Sequence, residues 1–408
     1  MTTSRDQTRL DALQRDPYPH YTQAREAEGL TYVPELQAWL VSRDADVREV
    51  LRRPDDFSSA HALLPDAFPS PAALEVLAQG FGKRPTVVST DGEAHERHRA
   101  PLNRALTASR VAGLVPYAAE RAEELVDAFA ADGRVELMRA YARQLPGQVI
   151  GRVVGLDPAD VPAAVHGGHR AEQLLFRPLD AAEQLRCAHD VVALQLMLDR
   201  CVRARREDPR DDLCSMMTAA YAPGDGELTL EQRHELVSNL QNFLIAGHLT
   251  TTALIGTAVL NLLRDRAQWE AICDDPGLIP AAVEEAARYD SPVQGFRRTT
   301  TRPVTLAGTE LPAGATLFVA YGSANRDERR HERPDAFDVT RPLSRRHLAF
   351  GHGAHGCPGA QLAREQLRLT LALLARRLPG LRLDADHPQP VMRPTLIHRS
   401  PEELHLTW

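Results

Sequence analysis

The longest segment of the chain with a helical pattern of hydrophobic residues is Thr229–Arg264. Thr229 and Gln232 form a capping-box sequence at its start, in which each side chain bonds the other residue's backbone N–H group. The middle of the segment is apolar almost all round, which is typical of a buried helix. Gly247 and the threonines Thr250–Thr252 are poor helix formers at this centre, so the pattern indicates a place that requires space or hydroxyl groups.

Alternating hydrophobic and polar positions predict small β-sheets before and after this helix. Leu30–Val33 and Ala38–Val41 flank a turn and predict a hairpin. Pro303–Gly308 and Thr316–Tyr321 also alternate, and we expect them to pair as strands joined through Pro312–Gly314. Because these strands are short, the sheets are expected to be small.

Helical periodicity accounts for much of the remaining chain. The predicted helices are Asp44–Leu51, most of 115–220 with breaks near Gly155–Pro158 and Asp208–Asp212, and Gly359–Leu378. Residues 57–90 are rich in Pro, Ala and Gly and are predicted to be a long connection. The patterns together predict a mainly α fold with small β-sheets.

The composition argues against several classes of protein. A formal net charge of −7 and a pI near 6.2 disfavour a nucleic-acid binder, which usually carries a basic stripe. The polar start, Met1–Tyr21, has no signal-peptide core, and no run reaches the ~18 consecutive apolar residues of a membrane span. Five cysteines, without paired metal-site spacing, suit a reducing cytosol. We therefore expect a cytoplasmic protein without a membrane anchor.

A glycine-rich loop, Phe350–Gly359, delivers Cys357 to the start of the last predicted helix. Its glycines also match the dinucleotide-binding fingerprint, but no buried strand precedes them and Arg376 stands where an acidic residue is required. Glycines allow the backbone to fold tightly beneath a flat group. The N–H groups and dipole of a helix start lower the pKa of a thiol and favour a metal-bound thiolate. For an isolated cysteine, a buried structural role would be the alternative.

The string Phe-Gly-x-Gly-x-His-x-Cys-x-Gly over Phe350–Gly359 resembles the haem-ligand loop of the cytochrome P-450 family. The resemblance implies a single cytochrome P-450 domain over residues 1–408, of the soluble bacterial type, with haem b between the long central helix and the helix after the cysteine loop. It also implies that Cys357 is the axial thiolate ligand of the iron, that Phe350 shields the sulfur, and that Gly359 contributes to the haem-binding loop.

Several basic residues match positions where the family binds the haem propionates. His95 and Arg99 form a His-x-x-x-Arg pattern, which lacks the spacing of a zinc motif and on spacing alone could be a solvated charged face. The resemblance implies that both hold a propionate, and that Arg298 and His355 do so as well. The alternative for Arg298 is an ordinary surface charge.

The centre of the long helix matches the family's distal, oxygen-binding segment. The resemblance implies that Ala246 and Gly247 leave room for dioxygen and that Thr250 hydrogen-bonds it. The family usually has Asp or Glu before that threonine, for proton delivery, but this chain has Leu249. The candidate catalytic residues are therefore Thr250, with His248 or water held by Thr250 and Thr251 as a replacement for the acid.

Glu285 and Arg288 match the family's Glu-x-x-Arg, with Arg341 as the third member of a buried charge network. The spacing alone is weak, because the same spacing recurs at Glu96/Arg99, Glu183/Arg186 and Glu365/Arg368. An i,i+3 pair of this type is usually a surface ion pair worth ~0.2–0.5 kcal/mol. The position relative to the cysteine loop favours Glu285 and Arg288 as the structural pair.

The resemblance implies a monooxygenase that inserts one atom of O2 into a small or medium apolar metabolite, as a tailoring step in specialised metabolism. Residues 165–178 fall where the family carries the helices and loop that cover the substrate channel. The candidate substrate-contacting residues are apolar: Val88, Phe243, Leu249, Val293 and Ile397.

The implied partners are a ferredoxin and a ferredoxin reductase that pass electrons from NAD(P)H, and the enzyme is expected to be a monomer. Arginines near the cysteine loop are candidate ferredoxin contacts: Arg345, Arg346, Arg364 and Arg368. Leu249 leaves two other functions open, an atypical haem-thiolate enzyme for oxidative coupling or peroxide-driven oxidation, and a non-catalytic haem sensor. Thr250 weighs against the sensor.

Overall fold

The structure is a computed structural model that describes residues 4–65, 68–343 and 345–408. It confirms a mainly α fold with small β-sheets. The helices are α1 (Ser4–Arg15), α2 (Tyr18–Glu26), α3 (Asp44–Arg52), α4 (Pro71–Leu77), α5 (Gly92–Ala105), α6 (Ala108–Asp127), α7 (Gln144–Val154), α8 (Val161–Phe176), α9 (Ala181–Glu207), α10 (Leu213–Tyr221), α11 (Leu230–Arg264), α12 (Arg266–Asp274), α13 (Ile279–Tyr289), α14 (Tyr321–Ala324) and α15 (Ala360–Arg377).

Two compact units are formed by different parts of the chain. Unit 1 comprises residues 1–61, 115–145 and 250–408, and unit 2 comprises residues 62–114 and 146–249. The strands belong to unit 1: β1 (Thr31–Val33), β2 (Ala38–Val41), β3 (Phe57–Ser58), β4 (Arg134–Glu136), β5 (Phe296–Thr300), β6 (Val304–Leu306), β7 (Thr309–Leu311), β8 (Thr316–Val319), β9 (Arg382–Leu383) and β10 (His405–Thr407). Unit 2 is built mainly from α4, α5 and α7–α10, with the first part of α11.

The main sheet of unit 1 has the strand order β1-β2-β8-β5-β3. The predicted hairpin is confirmed, because Thr31 pairs with Leu40 and Val33 with Ala38. Strand β8 runs parallel to β2 and antiparallel to β5. One face packs on a hydrophobic cluster that includes buried Leu317 and Val319. A second sheet has the order β4-β10-β9.

The predicted pairing of residues 303–308 with 316–321 is wrong. Strand β6 instead pairs with β7, because Ala307 and Gly308 both have positive φ, +51° and +77°. Such a two-residue turn joins neighbouring antiparallel strands and matches their twist. The Pro312–Gly314 turn leads to β8, which enters the main sheet.

Two further predictions in the irregular parts of the chain needed correction. The connection 57–90 contains β3 and helix α4, which Ser70 caps by accepting from the Ala73 N–H at 3.4 Å. Residues 66 and 67 of this connection lie outside the described part. Within 115–220, the breaks near 155 and 208 are confirmed, but strand β4 was missed. A further break separates α8 from α9 at the end of the segment 165–178, where the resemblance implied helices and a loop. Asp180 accepts from the Glu183 N–H at 2.8 Å there and starts α9.

Helix α11 confirms the longest predicted helix. The Thr229 N–H donates to Gln232 Oε1 at 2.9 Å, and the Gln232 N–H donates to Thr229 Oγ1 at 3.2 Å, so the capping box is formed. The helix is long and apolar enough to cross a membrane, but 78% of its most apolar window is buried inside the protein. This degree of burial is typical of a helix in the core of a protein.

Candidate active site

The loop that carries Cys357 has a backbone conformation that glycine adopts most easily. Gly351 and Gly353 have φ of +68° and +69°, in the left-handed region that side chains disfavour. A Cβ atom at Gly353 would also lie 2.6 Å from the Leu51 carbonyl oxygen. The Cys357 N–H donates to the Phe350 carbonyl oxygen at 2.8 Å and closes the loop. The backbone thus fixes where the cysteine lies.

Cys357 differs from the other cysteines in its exposure and in its place at a helix start. It is exposed, whereas the others are buried or half-buried: Cys187, Cys201, Cys214 and Cys273. Helix α15 begins at Ala360, three residues later, so its first N–H groups and dipole stabilise a thiolate. A Cβ at Gly359 would lie 3.9 Å from the sulfur, an ordinary van der Waals distance.

Glu284 of α13 braces the cysteine loop through two cationic side chains. Arg364 of α15 donates to both carboxylate oxygens at 2.6 and 2.9 Å, and His347 Nε2 lies 2.9 Å from Oε2. Burial raises the pKa of Glu284, but these hydrogen bonds outweigh it and lower the pKa to about 2. The Arg364 guanidinium lies over the Phe350 ring, 4.3 Å from its centre. Sequence reasoning missed Glu284, although it stands beside Glu285.

Glu285 forms a separate buried network on the same helix. Arg288 donates to its two carboxylate oxygens at 2.7 and 2.8 Å, and the Asp338 N–H donates at 3.0 Å. Arg341 Nε lies 3.2 Å from Oε2, which makes an ion pair. Arg288 also donates to the carbonyl oxygens of Asn325, Pro334 and Ala336. The structure therefore brings together all three residues of the predicted charge network.

Arg298 and His355 lie in unit 1. Arg298, on β5, is 4% exposed and donates to the Arg297 carbonyl oxygen at 2.8 Å. Burial raises the pKa of Tyr321, and the Arg298 charge and hydrogen bond oppose that shift. No carboxylate in the described part of the chain pairs with Arg298. His355 Nε2 lies 3.1 Å from Ser59 Oγ.

His95 and Arg99 lie one turn apart on α5 in unit 2. His95 is buried and Arg99 is half-buried, so this segment is only partly a solvated face. Burial lowers the pKa of His95, and the positive charge of Arg99 adds to that effect. Residues four apart lie on the same face of a helix.

The two basic residues between them have a structural partner. His98 Nε2 lies 2.9 Å from Glu235 Oε1 on α11, and Arg97 donates to Glu235 Oε2 at 2.8 Å. Burial opposes ionisation, but these contacts hold the pKa of Glu235 at about 2. Arg97 and His98 therefore tie α5 to α11.

The centre of α11 exposes one narrow face. Ala246 is exposed and Thr250, one turn later, is half-buried, whereas His248, Leu249 and Thr251 are buried. Residues four apart lie on the same face of a helix, so Ala246 and Thr250 define the accessible stripe.

Gly247, which is half-buried like Thr250, packs closely against a neighbouring helix. A Cβ atom there would lie 2.4 Å from two side-chain carbons of Ile150 on α7. The glycine is therefore required for close packing of α11 against α7. That Gly247 also leaves room for dioxygen stays a prediction.

Comparisons with known proteins place the chain in a family. The family model for cytochrome P450 matches residues 277–407. The chain is 33% identical over 400 residues to cytochrome P450 107B1 of Saccharopolyspora erythraea, covering 97% of this chain and 95% of that protein. It is 35% identical over 379 residues to mycinamicin IV hydroxylase/epoxidase of Micromonospora griseorubida, covering 91% and 90%.

A solved structure agrees with these relatives. Cytochrome P450 CREJ, in complex with (4-ethylphenyl) dihydrogen phosphate, superposes with a TM-score of 0.89 at 30% identity, covering 97% of this chain and 98% of that one. The chain belongs to the cytochrome P450 family. The resemblance in the cysteine loop and the expected fold are thereby confirmed. The protein is an oxidoreductase of the haem-thiolate monooxygenase family, whose members take their electrons from redox partners.

The residues of this P450 fit the haem that its family carries. Cys357 offers an exposed thiol at a helix start, and Arg298 is a buried cation that lacks a carboxylate partner among the described residues. Ala246 and Thr250 give α11 one accessible face. No group of three or more His, Cys, Asp or Glu side chains in the described residues forms a rival metal site.

His248, predicted as a catalytic candidate, lies in the packing between α11 and α8. Its Nδ1–H donates to the Leu244 carbonyl oxygen at 2.6 Å, and its ring centre lies 5.3 Å from that of His169 on α8. A Cβ at Gly168 would lie 2.7 Å from the His248 ring. We therefore assign His248 to the contact with α8.

The five candidate substrate-contacting residues are all apolar positions with limited exposure. Phe243, Leu249 and Ile397 are buried, and Val88 and Val293 are half-buried. Val293 packs against the hydrophobic cluster beneath the main sheet of unit 1. Val88 lies in a single 3₁₀ turn, Val87–Ser89.

The four arginines proposed as ferredoxin contacts are not equivalent. Arg364 is committed to the buried Glu284, and Arg368 pairs with Glu365 at 2.8 Å. The Arg345 side chain is 73% exposed, and its Nε lies 3.8 Å from Glu284 Oε1. Ferredoxin docking by these arginines stays a prediction.

Proposed function

We propose that this P450 is a monooxygenase that inserts one atom of O2 into a small or medium apolar metabolite in a tailoring step of specialised metabolism. The observation that carries the proposal is the exposed Cys357 in a glycine-fixed loop of a P450-family chain. The tailoring role rests on relatives such as mycinamicin IV hydroxylase/epoxidase.

Cys357 is proposed as the axial ligand of haem b. When bound, the haem with a thiolate ligand supplies the activation of O2 and the oxidation of C–H bonds. The chain holds the sulfur in place through the positive-φ glycines and the bond from the Cys357 N–H to Phe350. The Arg364 guanidinium packs over the Phe350 ring, and Phe350 is proposed to shield the sulfur.

Four basic side chains are proposed to bind the propionates. They are His95, Arg99, Arg298 and His355. A propionate would give the buried Arg298 the carboxylate partner that a buried guanidinium requires. The low pKa of His95 would rise on binding, because an opposite charge favours the protonated imidazole.

Oxygen activation is proposed to take place at the accessible stripe of α11. Ala246 leaves space there, and the Thr250 hydroxyl can donate a hydrogen bond and hold a water molecule. Leu249 cannot hold a proton, so proton delivery falls to Thr250, Thr251 and water. Val88, Phe243, Leu249, Val293 and Ile397 are the side chains proposed to contact the apolar substrate.

The electron path is proposed to begin at NAD(P)H and to pass through a ferredoxin reductase and a ferredoxin. Exposed Arg345 is the docking residue best suited to an acidic partner, because exposed charges steer association. We further propose a cytoplasmic monomer that acts as a single P450 domain, since the match to cytochrome P450 107B1 covers 97% of this chain and 95% of that protein.

The test of the proposed ligand is the reduced carbon monoxide complex of the purified protein. The wild-type protein should give the red-shifted Soret band of a thiolate-bound haem. Cys357→Ala should lose this band, whereas the matched control Cys273→Ala, at a half-buried cysteine, should keep it. A Cys357 variant that retains the band would disprove the assignment.

Buried Leu249 favours a second candidate, an atypical haem-thiolate enzyme that performs oxidative coupling or uses peroxide. If proton delivery is impaired, reducing equivalents should be lost to peroxide, and added peroxide should restore turnover. Leu249→Glu should then raise the fraction of NAD(P)H electrons recovered in product. Efficient coupling in the wild type, reduced by Leu249→Glu, would make Leu249 an element of pocket shape. The sensor alternative lost support, because named relatives are hydroxylases and monooxygenases.

A further inference from the structure

The loop of residues 392–401 is tied by backbone hydrogen bonds to the segment that follows α13. The Gln294 N–H donates to the Leu396 carbonyl oxygen at 2.8 Å, and the Arg399 N–H donates to the Pro292 carbonyl oxygen at 2.8 Å. Each segment supplies one donor and one acceptor to the other. The two segments therefore hold each other in a fixed register.

Two of the proposed substrate contacts, Val293 and Ile397, lie on these paired segments. Leu396, the neighbour of Ile397, packs into a hydrophobic cluster that also contains Leu13 of α1 and Tyr21 of α2. Val293 and Ile397 and the elements around them all belong to unit 1. The place of Ile397 therefore depends on how the loop is fastened to α1, α2 and α13.

A buried ion pair fastens the loop to the end of α13. Arg399 Nε donates to Asp290 Oδ1, and the two side chains are only 6% and 3% exposed. Arg399 also donates to the Arg15 carbonyl oxygen, at the end of α1, at 2.7 Å. Burial raises the pKa of Asp290, but the charges of Arg399 and Arg326 outweigh this effect and lower it. Asp290 is therefore an ionised acceptor that the guanidinium of Arg399 requires.

Tyr18, the first residue of α2, donates to the same carboxylate oxygen. Its hydroxyl lies 2.7 Å from Asp290 Oδ1 and 3.2 Å from the Tyr289 carbonyl oxygen. The Arg326 guanidinium lies over the Tyr18 ring, 3.5 Å from its centre. Burial and the charge of Asp290 raise the pKa of Tyr18, so its hydroxyl keeps its proton and remains a donor. Tyr18, Asp290 and Arg399 together form what we call the clamp.

We propose that the clamp positions Ile397 relative to Val293 and thereby determines which apolar molecules fit the substrate pocket. Hydrogen bonds to an ionised partner are short and directional, and side chains that contact a ligand from a loop need such support to stay in place. The clamp residues are positioning residues, because they act through Ile397. This inference rests on the proposed function, in which Val293 and Ile397 contact the substrate.

The experiment measures the fit of the pocket with two probes, imidazole and 4-phenylimidazole, by spectral titration of the purified haem-loaded protein. Both probes bind the haem iron through nitrogen, but only the phenyl ring requires contact with the pocket wall. The ratio of the two dissociation constants therefore reports on the wall and not on the haem. In Tyr18→Phe, 4-phenylimidazole should bind roughly tenfold more weakly relative to imidazole, as for the loss of one methylene-sized contact in an apolar pocket.

Tyr141→Phe is the matched control, because it also removes a tyrosine hydroxyl that makes a buried hydrogen bond. The Tyr141 hydroxyl lies 3.0 Å from Thr370 Oγ1, in a contact between other elements of unit 1. Its ratio of dissociation constants should equal that of the wild type. Arg399→Lys keeps the positive charge but not the planar donor group, and it should change the ratio in the same direction as Tyr18→Phe.

Hydrogen exchange of residues 392–401, followed by mass spectrometry without added probe, gives a second measurement. Exchange should be faster in Tyr18→Phe than in the wild type and unchanged in Tyr141→Phe. An unchanged ratio of dissociation constants in both Tyr18→Phe and Arg399→Lys would overturn the proposal, as would an equal change in Tyr141→Phe. Failure of the wild type to bind imidazole would instead contradict the proposed haem site, and the exchange measurement would then decide whether the clamp holds the loop.

Discussion

Two Glu-x-x-Arg pairs in this P450 have the same spacing but different surroundings. On α13, Arg288 Nε lies 2.7 Å from Glu285 Oε2, and the two side chains are 3% and 2% exposed. On α15, Arg368 Nη2 lies 2.8 Å from Glu365 Oε2, and the side chains are 41% and 29% exposed. Helix geometry alone forms both pairs, so the contact distance says nothing about their importance.

The difference lies in what surrounds each carboxylate. Glu285 also accepts the Asp338 N–H and pairs with Arg341, whereas water competes for Glu365. A buried ion pair has lost its hydration, so removing one partner leaves an uncompensated charge. The comparison shows that burial and additional hydrogen-bond donors, and not the Glu-x-x-Arg spacing, make the Glu285–Arg288 pair important for stability.

The largest effect is expected for Glu285→Ala. Loss of the carboxylate leaves Arg288 and Arg341 without their buried partner, which costs about 3–5 kcal/mol of unfolding free energy. We expect little haem-loaded protein, measured as the yield of the carbon monoxide complex and by urea unfolding of the purified fraction. Normal yield and stability would remove the distinction between α13 and α15.

Glu284→Gln tests the neighbouring carboxylate that braces the cysteine loop. At neutral pH the free energy of unfolding of the variant should be about 2–3 kcal/mol lower than that of the wild type, because Arg364 and His347 lose a charged partner. The folded-state pKa of about 2 is below the ordinary value of 4.5, so the stability that Glu284 provides is complete above about pH 4.5. It is lost as the pH falls towards the folded pKa.

The measurement for Glu284→Gln is urea unfolding as a function of pH. The stability difference from wild type should be largest near neutral pH and should shrink from about pH 5 to about pH 3. Glu365→Gln is the matched control and should show no such trend. A difference that grows on acidification would contradict the assigned sign.

Arg341→Ala should lower the free energy of unfolding by an intermediate amount, about 1–2 kcal/mol. Glu285 keeps Arg288 and the Asp338 N–H, so its charge remains partly compensated. Arg333→Ala provides the control, because Arg333 is 68% exposed and pairs with Asp338 at 3.4 Å. Equal unfolding free energies for the two variants would show that Arg341 is not part of the buried network.

The smallest effect is expected for Glu365→Ala, a few tenths of a kcal/mol, as for other i,i+3 surface pairs. A higher salt concentration should reduce this small loss of unfolding free energy further, because exposed charges are screened. The check is the unfolding midpoint of wild type and variant at low and high salt. A loss comparable to that of Glu285→Ala would mean that exposure does not separate the two pairs.

Local sequence patterns predicted the elements that form through contacts between residues close in sequence. The capping box at Thr229 and Gln232, the hairpin Thr31–Val33 and Ala38–Val41, and the conformation of the glycine-rich cysteine loop depend on residues close in sequence. The pairing of β6 with β7 could not be chosen in the same way, because a competing turn at Pro312–Gly314 had comparable sequence signals.

The sequence by itself determined the family, the mainly α fold and the place of Cys357, since glycine spacing, helical period and motif order are properties of the chain alone. Only the tertiary structure decided the roles of Gly247, His248, Arg364 and Glu284. Gly247 packs against Ile150, His248 against α8, and Arg364 is neutralised by Glu284. These roles depend on burial and on partners distant in sequence, and neither spacing nor composition specifies which side chains will be desolvated together.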